Sequence, residues 1–391
     1  MCNFDKIIDR RGTYTYKYDR LGQLFGRDDL LPLWVADMEL ATPDFIVDAL
    51  KRRVSHPIFG YSCWPDGYFR QISEWIESHH GWKVEESWLT YIPGIVKGIG
   101  LALNYFLRDG DKVIIQPPVY HPFREVPENN GFTVVENPLI ENADGSYSMD
   151  FENLEAVCDE HCKMLILCNP HNPIGIVWDR PTLERLASFC HSRGLIVISD
   201  EIHCDLTLYG HRHIPFASVS KEAAEVSITF GAPSKTFNIA GIVSSWSVIS
   251  NPALRDGFYS WLEANELDTP TLFAPIATMA ALTDEGEAWR KELISYLEGN
   301  IDYVLAYCEH NLPSIRAIRP EASFLVWLDC RGLGKRDDEV INLFVNKAHL
   351  ALNPGSSFGT GGECHMRMNV AVPRKILKDA LDRLRLAVCG Y

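Results

Sequence analysis

RPTLERLASFCHSRGLIVISDEIH, residues 180–203, joins two kinds of pattern within one short stretch. The first half places Pro181 early, where a missing N–H costs nothing, and repeats its apolar residues at helical spacing. The second half, GLIVISDE (194–201), is apolar on both faces, as a strand in a covered parallel sheet must be. It then stops on two acids. Working outward, the same grammar recurs in DKVIIQPP (111–118), GFTVVENP (131–138), KMLILCNP (163–170) and VSITFGAP (226–233), each ending in a turn signal. Strands alternating with helices predict an α/β domain with a mostly parallel sheet.

The pattern changes after about residue 286. A long helical stretch leads to SFLVWLDC (323–330), a helix over 337–348, NPGSSFG, the strand-like HMRMNVAV and a last helix from about 374. This reads as a smaller α+β domain. The expected organisation is an arm over 1–40 that belongs partly to the small domain, a large domain over 41–285 and a small C-terminal domain over 286–391. Two domains suit a chain of 391 residues.

Bulk properties narrow the function. The net charge is −15, and no basic stripe is present, so neither nucleic acid nor an anionic membrane surface is the expected partner. No apolar run approaches the roughly 18 residues of a membrane helix, and MCNFDKIIDRRG has no signal-peptide core. Eleven scattered cysteines predict free thiols and a cytoplasmic location. The nearest approach to a metal cluster is Cys158, His161 and Cys162 in CDEHC. It lacks a second pair, so a helix with partly buried thiols is expected there and no metal.

Ligands of open α/β sheets bind at the carboxyl ends of the strands. Those ends carry Tyr120 in PPVYHPF, Asn172 in NPHNPIG, Asp200 and His203 in SDEIH, and Ser234 and Lys235 in APSK. Taken singly, the aspartate reads as a helix cap, the asparagine as a turn residue, the tyrosine as packing and the lysine as a chain reaching solvent. Their succession on consecutive strand ends reads as a site. TYIPGIVKGIG (90–100) adds a helix start whose free N–H groups at Gly94, Ile95 and Val96 suit an anion. A lysine for a Schiff base, an acid for a ring nitrogen, an aromatic for a ring face and a phosphate cradle match the needs of pyridoxal 5′-phosphate.

With APSKTFNIAG, NPHNPIG, SDEIHCDL, PPVYHPF, PLWVADME and MRMNVAVPR together, the chain resembles, over essentially its whole length, the class I/II aminotransferase-like family of fold type I pyridoxal-phosphate enzymes. Within it, the sequence looks most like the cystathionine β-lyase/C–S lyase branch. The resemblance implies that Lys235 carries the cofactor and serves as the base, Asp200 pairs with the pyridinium nitrogen, Asn172 binds the ring O3′ and Tyr120 stacks on the ring. It implies that Gly94, Ile95, Val96 and Ser234 hold the phosphate, joined by Tyr61 from the partner subunit of a homodimer. It implies that Arg367, with Asn172 and the backbone of Ala36, binds the substrate carboxylate. Three positions depart from the wider aminotransferase pattern. His203 stands where many members have tyrosine, Ala232 where many have a hydroxyl, and Val243 where many have a phosphate-binding arginine. SDEIH is shared with the lyase branch. The expected reaction is α,β-elimination from a cysteine thioether to pyruvate, ammonia and a thiol. An aminotransferase on the same scaffold is the alternative. A third reading, which the branch suggests because one member type acts on a sugar-regulon activator, is a regulator-binding protein with secondary lyase activity.

Overall fold

The computed structural model describes residues 2–390. In the segment 180–203, the helix Arg180–Arg193 starts at Asp179, whose carboxylate accepts from the Thr182 N–H. It stops at Gly194, whose φ of 67° a side chain would resist. Leu183, Leu186, Ala187 and Cys190 form its buried stripe. The strand that follows runs from Ile196 to Asp200.

In chain order the strands are β1 (Leu31–Pro32), β2 (Leu89–Ile92), β3 (Lys112–Ile115), β4 (Thr133–Glu136), β5 (Ile140–Glu141), β6 (Tyr147–Ser148), β7 (Cys162–Cys168), β8 (Ile196–Asp200), β9 (Ser227–Gly231), β10 (Ser245–Val248), β11 (Arg316–Ile318), β12 (Leu325–Asp329), β13 (Leu350–Ala351), β14 (Asn353–Pro354) and β15 (His365–Asn369). Seven form the large sheet, in the order β2-β10-β9-β8-β7-β3-β4. β4, β3, β7, β8 and β9 pair in parallel, while β10 runs against both of its neighbours. All five strands expected from the sequence are present. SWSV, which makes β10, gave no such signal, because two of its four residues are serines that are nonetheless buried.

Both faces of the sheet are covered. Leu165, Leu167 and Val197 pack into one layer, and Met164, Ile166, Cys168 and Ile198 into the other. Alternation along a strand therefore decides which end residues share a face. Cys168 and Asp200 are register partners and lie on the same side, whereas Glu201 turns to the opposite one.

The second sheet has the order β11-β12-β15-β14, with antiparallel pairs. The helices Asp284–Asn311 and Arg374–Cys389 pack on its core. The N-terminal arm is held there too: β1 pairs in parallel with β13. The Asn369 N–H donates to Leu33 and the Glu39 N–H to Ala371.

Two expectations are corrected. CDEHC is not helical: Cys158 follows the helix Phe151–Val157 and Cys162 opens β7, so the two thiols flank a turn. The helix expected over 337–348 is α-helical only over Asp337–Asn342. It then widens into a π-turn, Leu343–Lys347, closed by the Ala348 N–H on the Leu343 carbonyl at 2.9 Å.

Candidate active site

The carboxyl ends of β7, β8 and β9 open into a cavity of about 520 Å³. Its wall includes Ala36, Gly94, Ile95, Val96, Tyr120, Asn172, Asp200, His203, Ser234, Lys235 and Arg367. Eleven of the twelve site residues expected from the sequence thus meet in one place. Tyr61 does not: it stands fully exposed on the surface of the single chain.

Lys235 follows β9. Its Nζ donates to the Ala36 carbonyl at 2.7 Å. Burial lowers its pKa to about 8; Asp37 and Asp200 oppose that shift and Arg367 adds to it. A half-buried lysine so placed is a usable base near neutral pH. Asp200 ends β8, and one of its carboxylate oxygens accepts from the Ile202 N–H at 3.1 Å. Burial raises its pKa to about 7, with Lys235 pulling the other way. A carboxylate held this dry gains from a cationic partner in the cavity.

In SDEIHCDL, alternation separates two tasks. Glu201 points away from the cavity and accepts from Ser199 Oγ at 2.8 Å and the Phe216 N–H at 2.9 Å, and it pairs with His213 Nε2 at 2.8 Å. Asp205 pairs with His80 at 2.9 Å on that same side of the motif. His203 faces the cavity. Burial, with Lys235 and Arg367 nearby, lowers its pKa to about 3, and its Nδ1 is buried without a partner. It is a neutral imidazole at neutral pH.

Arg367 comes from the centre of β15 and is buried. Its Nη1 donates to Asn172 Oδ1 at 2.8 Å, and its Nη2 to Asn353 Oδ1 at 2.7 Å and to the Trp34 carbonyl at 2.9 Å. Its guanidinium lies 4.9 Å from the Phe358 ring centroid. Every one of these partners is neutral, and Nε–H has none. Burial drops the guanidinium pKa to about 10. An unneutralised, pre-aimed guanidinium in a cavity is a receptor for a carboxylate.

The helix Ile95–Phe106 begins at the cavity, with Gly94 at its start in a φ of 105°. Its first free N–H groups and Ser234 meet Ser244 and Ser245 there. Val243 lines the same end, its carbonyl fixed by the Tyr91 hydroxyl at 3.0 Å. Tyr120 lies on the wall beside Asn172, whose carbonyl accepts from the Tyr120 N–H at 3.1 Å.

Several wall residues escaped the sequence reading: Tyr16, Trp34, His121, Ser244, Ser245 and Asn353. Trp34, His121 and Asn353 stand inside motifs that were read, PLWVADM, PPVYHPF and NPGSSFG. Ser244 and Ser245 were lost with the unread β10.

An anion cradle, a half-buried lysine, a buried acid and an aromatic wall at the strand ends fit pyridoxal phosphate group by group. Together with this sheet order, they define a fold type I enzyme that depends on that cofactor. The family model for aminotransferase class I and II matches residues 29–384, and the chain belongs to that family. Cystathionine beta-lyase PatB of Bacillus subtilis (strain 168) is 43% identical over 388 residues, covering 99% of this chain and 100% of that protein. Cystalysin from Treponema denticola, solved with its pyridoxal 5′-phosphate cofactor, superposes with a TM-score of 0.95 at 32% identity, covering 100% of this chain and 99% of that one. A PLP-bound candidate aminotransferase from Clostridium difficile 630 superposes with a TM-score of 0.96 at 39% identity, covering 99% and 100%.

Proposed function

We infer that the protein is a pyridoxal-phosphate-dependent carbon–sulfur β-lyase. It cleaves cystathionine or a related cysteine thioether, with water, to pyruvate, ammonia and a thiol. The observation that carries this reading is the pairing, in one cavity, of a half-buried lysine whose pKa falls to about 8 with a buried arginine that has no acidic partner. Full-length similarity to a cystathionine beta-lyase supports the choice of reaction.

When bound, the cofactor supplies a protonated ring that withdraws electrons from the substrate Cα. The chain's residues do the rest. Arg367 takes the α-carboxylate and fixes which Cα bond faces the ring. Lys235 Nζ carries the cofactor, removes the α-proton and holds it within reach of the departing sulfur. Asp200 keeps the ring nitrogen protonated, a task for which its dry setting prepares it. Tyr120 covers the ring and Asn172 offers its amide to O3′. The Ile95 and Val96 N–H groups and the Ser234 hydroxyl take the phosphate, standing in for the arginine that Val243 replaces; Gly94 shapes the turn beside them, its own N–H being given to the Ile92 carbonyl at 2.9 Å rather than left free as the sequence led one to expect.

The division at residues 40 and 285 belongs to this reading, as does a homodimer in which Tyr61 serves the neighbouring phosphate. Its exposure beside Ile58 and Phe59, also exposed, supports an interface on that loop. The cysteines are free throughout the described residues, which supports a reducing, cytoplasmic setting. No described helix is long and apolar enough to cross a membrane.

Incubation with cystathionine and no keto acid tests the reaction. Pyruvate and free thiol formed over many turnovers support the lyase; product only after a keto acid is added means the aminotransferase. A pull-down from lysate with the cofactor-loaded protein tests the regulator-binding reading.

A further inference from the structure

A strap within the arm, residues 34–37, holds two groups of the site, Arg367 and Lys235, and their neighbour Asn369 through its backbone carbonyls. Trp34 accepts from Arg367 Nη2 at 2.9 Å. Ala36 accepts from Lys235 Nζ at 2.7 Å. Val35 and Asp37 accept from Asn369 Nδ2 at 2.7 and 2.6 Å. Carbonyls cannot place themselves; something must fix the strap from its other side.

That something is a cluster of four charges. Lys17, whose side chain is 0% exposed, sits 3.2 Å from Asp37 Oδ1 and 2.9 Å from Glu39 Oε1. Arg10 reaches Asp37 Oδ2 at 2.7 Å and Glu39 Oε1 at 2.8 Å. Thr15 accepts from Arg10 at 2.9 Å, and the Tyr18 hydroxyl donates to Glu39 at 3.0 Å. Lys17 Nζ also donates to the Asp37 carbonyl at 3.3 Å, and the Trp34 indole N–H donates to the Lys17 carbonyl at 3.0 Å. The two cations and two anions balance, which lets a fully buried lysine stay in place. Substrate chemistry does not use this cluster, yet its members come from RRGTYTYKYD and WVADME, stretches that also line the cavity through Tyr16, Trp34 and Ala36.

We propose that Asp37, clamped by Lys17 and Arg10, is a positioning residue that holds the Ala36 carbonyl and its own negative charge beside the Lys235 nitrogen. Asp37 is singled out from Glu39 because it is next in the chain to Ala36 and because its charge acts on Lys235, whose other charged neighbours are Arg367 and Asp200. His203, on the same wall, is neutral. The inference rests on Lys235 being the cofactor's lysine.

The test is the pH titration of the visible absorbance of the cofactor-loaded enzyme, which follows the proton on the Lys235–cofactor linkage. Asp37→Asn removes a negative charge and shifts the titration to lower pH, by up to about one unit. Lys17→Met leaves Asp37 less neutralised and shifts it to higher pH. Glu39→Gln disturbs as many cluster contacts, so it lowers the melting temperature and leaves the titration in place. Opposite shifts for the first two variants, with kcat falling more than KM rises in Asp37→Asn, support the proposal. An unmoved titration in the loaded Asp37 and Lys17 variants, or a shift in Glu39→Gln equal to theirs, overturns it. Lys17→Met decides alone if Asp37→Asn does not fold. Visible absorbance that survives Lys235→Ala rejects the lysine assignment instead.

Discussion

Arg367→Lys keeps the charge and removes the fork. The guanidinium has five N–H donors. Three are engaged, by Asn172 Oδ1, Asn353 Oδ1 and the Trp34 carbonyl. Two remain, one of them the partnerless Nε–H. A lysine ammonium has three donors and would meet the same three acceptors, which leaves none for a substrate carboxylate. Hydrogen bonds to charged groups contribute about 1.5–3 kcal/mol each, so losing the two remaining donors costs roughly 2–3 kcal/mol after rearrangement. That corresponds to a 30- to 150-fold fall in kcat/KM. The carboxylate is held before and during reaction alike, so the loss belongs mainly in KM. Steady-state pyruvate release from cystathionine, with cofactor occupancy checked by absorbance, measures it. A fully loaded Arg367→Lys enzyme within about threefold of the parent in kcat/KM would refute the role given to the fork.

Lys235→Ala should abolish the visible absorbance of bound cofactor and nearly all turnover; sustained β-elimination in that variant contradicts the assignment. Asp200→Asn separates stability from function. Burial raises the aspartate from 3.8 to about 7, so keeping it charged in the cofactor-free chain costs nothing below pH 4, increasingly more between 4 and 7, and at most about 4 kcal/mol above. The cofactor-free variant should therefore melt higher than the cofactor-free parent at pH 8, with the gap closing toward pH 4, while its affinity for the cofactor falls; equal melting curves at both pH values count against a desolvated carboxylate. Mixed dimers of one Tyr61→Ala chain and one Lys235→Ala chain should contain one intact site if Tyr61 serves the partner, and none if it acts within its own chain. Recovery of about half the parental activity, against a null mixture, decides between them.

The large sheet was legible because parallel strands covered on both faces must be written as short apolar runs, and five of the seven were. β10 hid because a strand antiparallel between two partners can bury serines whose backbone does the pairing. With it went Ser244 and Ser245. The strand-end residues were legible for a related reason: where a run stops, the chain leaves the sheet, and a polar residue there is free to serve a ligand. What sequence could not supply is which side of the sheet each one serves. Asp200 and Glu201 are adjacent acids at one strand end, and only the pleat sends one to the cavity and the other to His213. The arm shows the limit most clearly. Lys17 lies in an unremarkable polar stretch, yet it is wholly buried between two carboxylates from residues 20 and more positions away. Charge pairing across that separation leaves no periodic trace. Its cost in desolvation is met only because Arg10, Asp37 and Glu39 converge on it, and that convergence places the Ala36 and Trp34 carbonyls on Lys235 and Arg367. Recognising the lysine and the arginine from their motifs thus identifies the reactive atoms, while the charges that fix where those atoms stand are written some two hundred residues earlier, for Lys235, in the N-terminal arm.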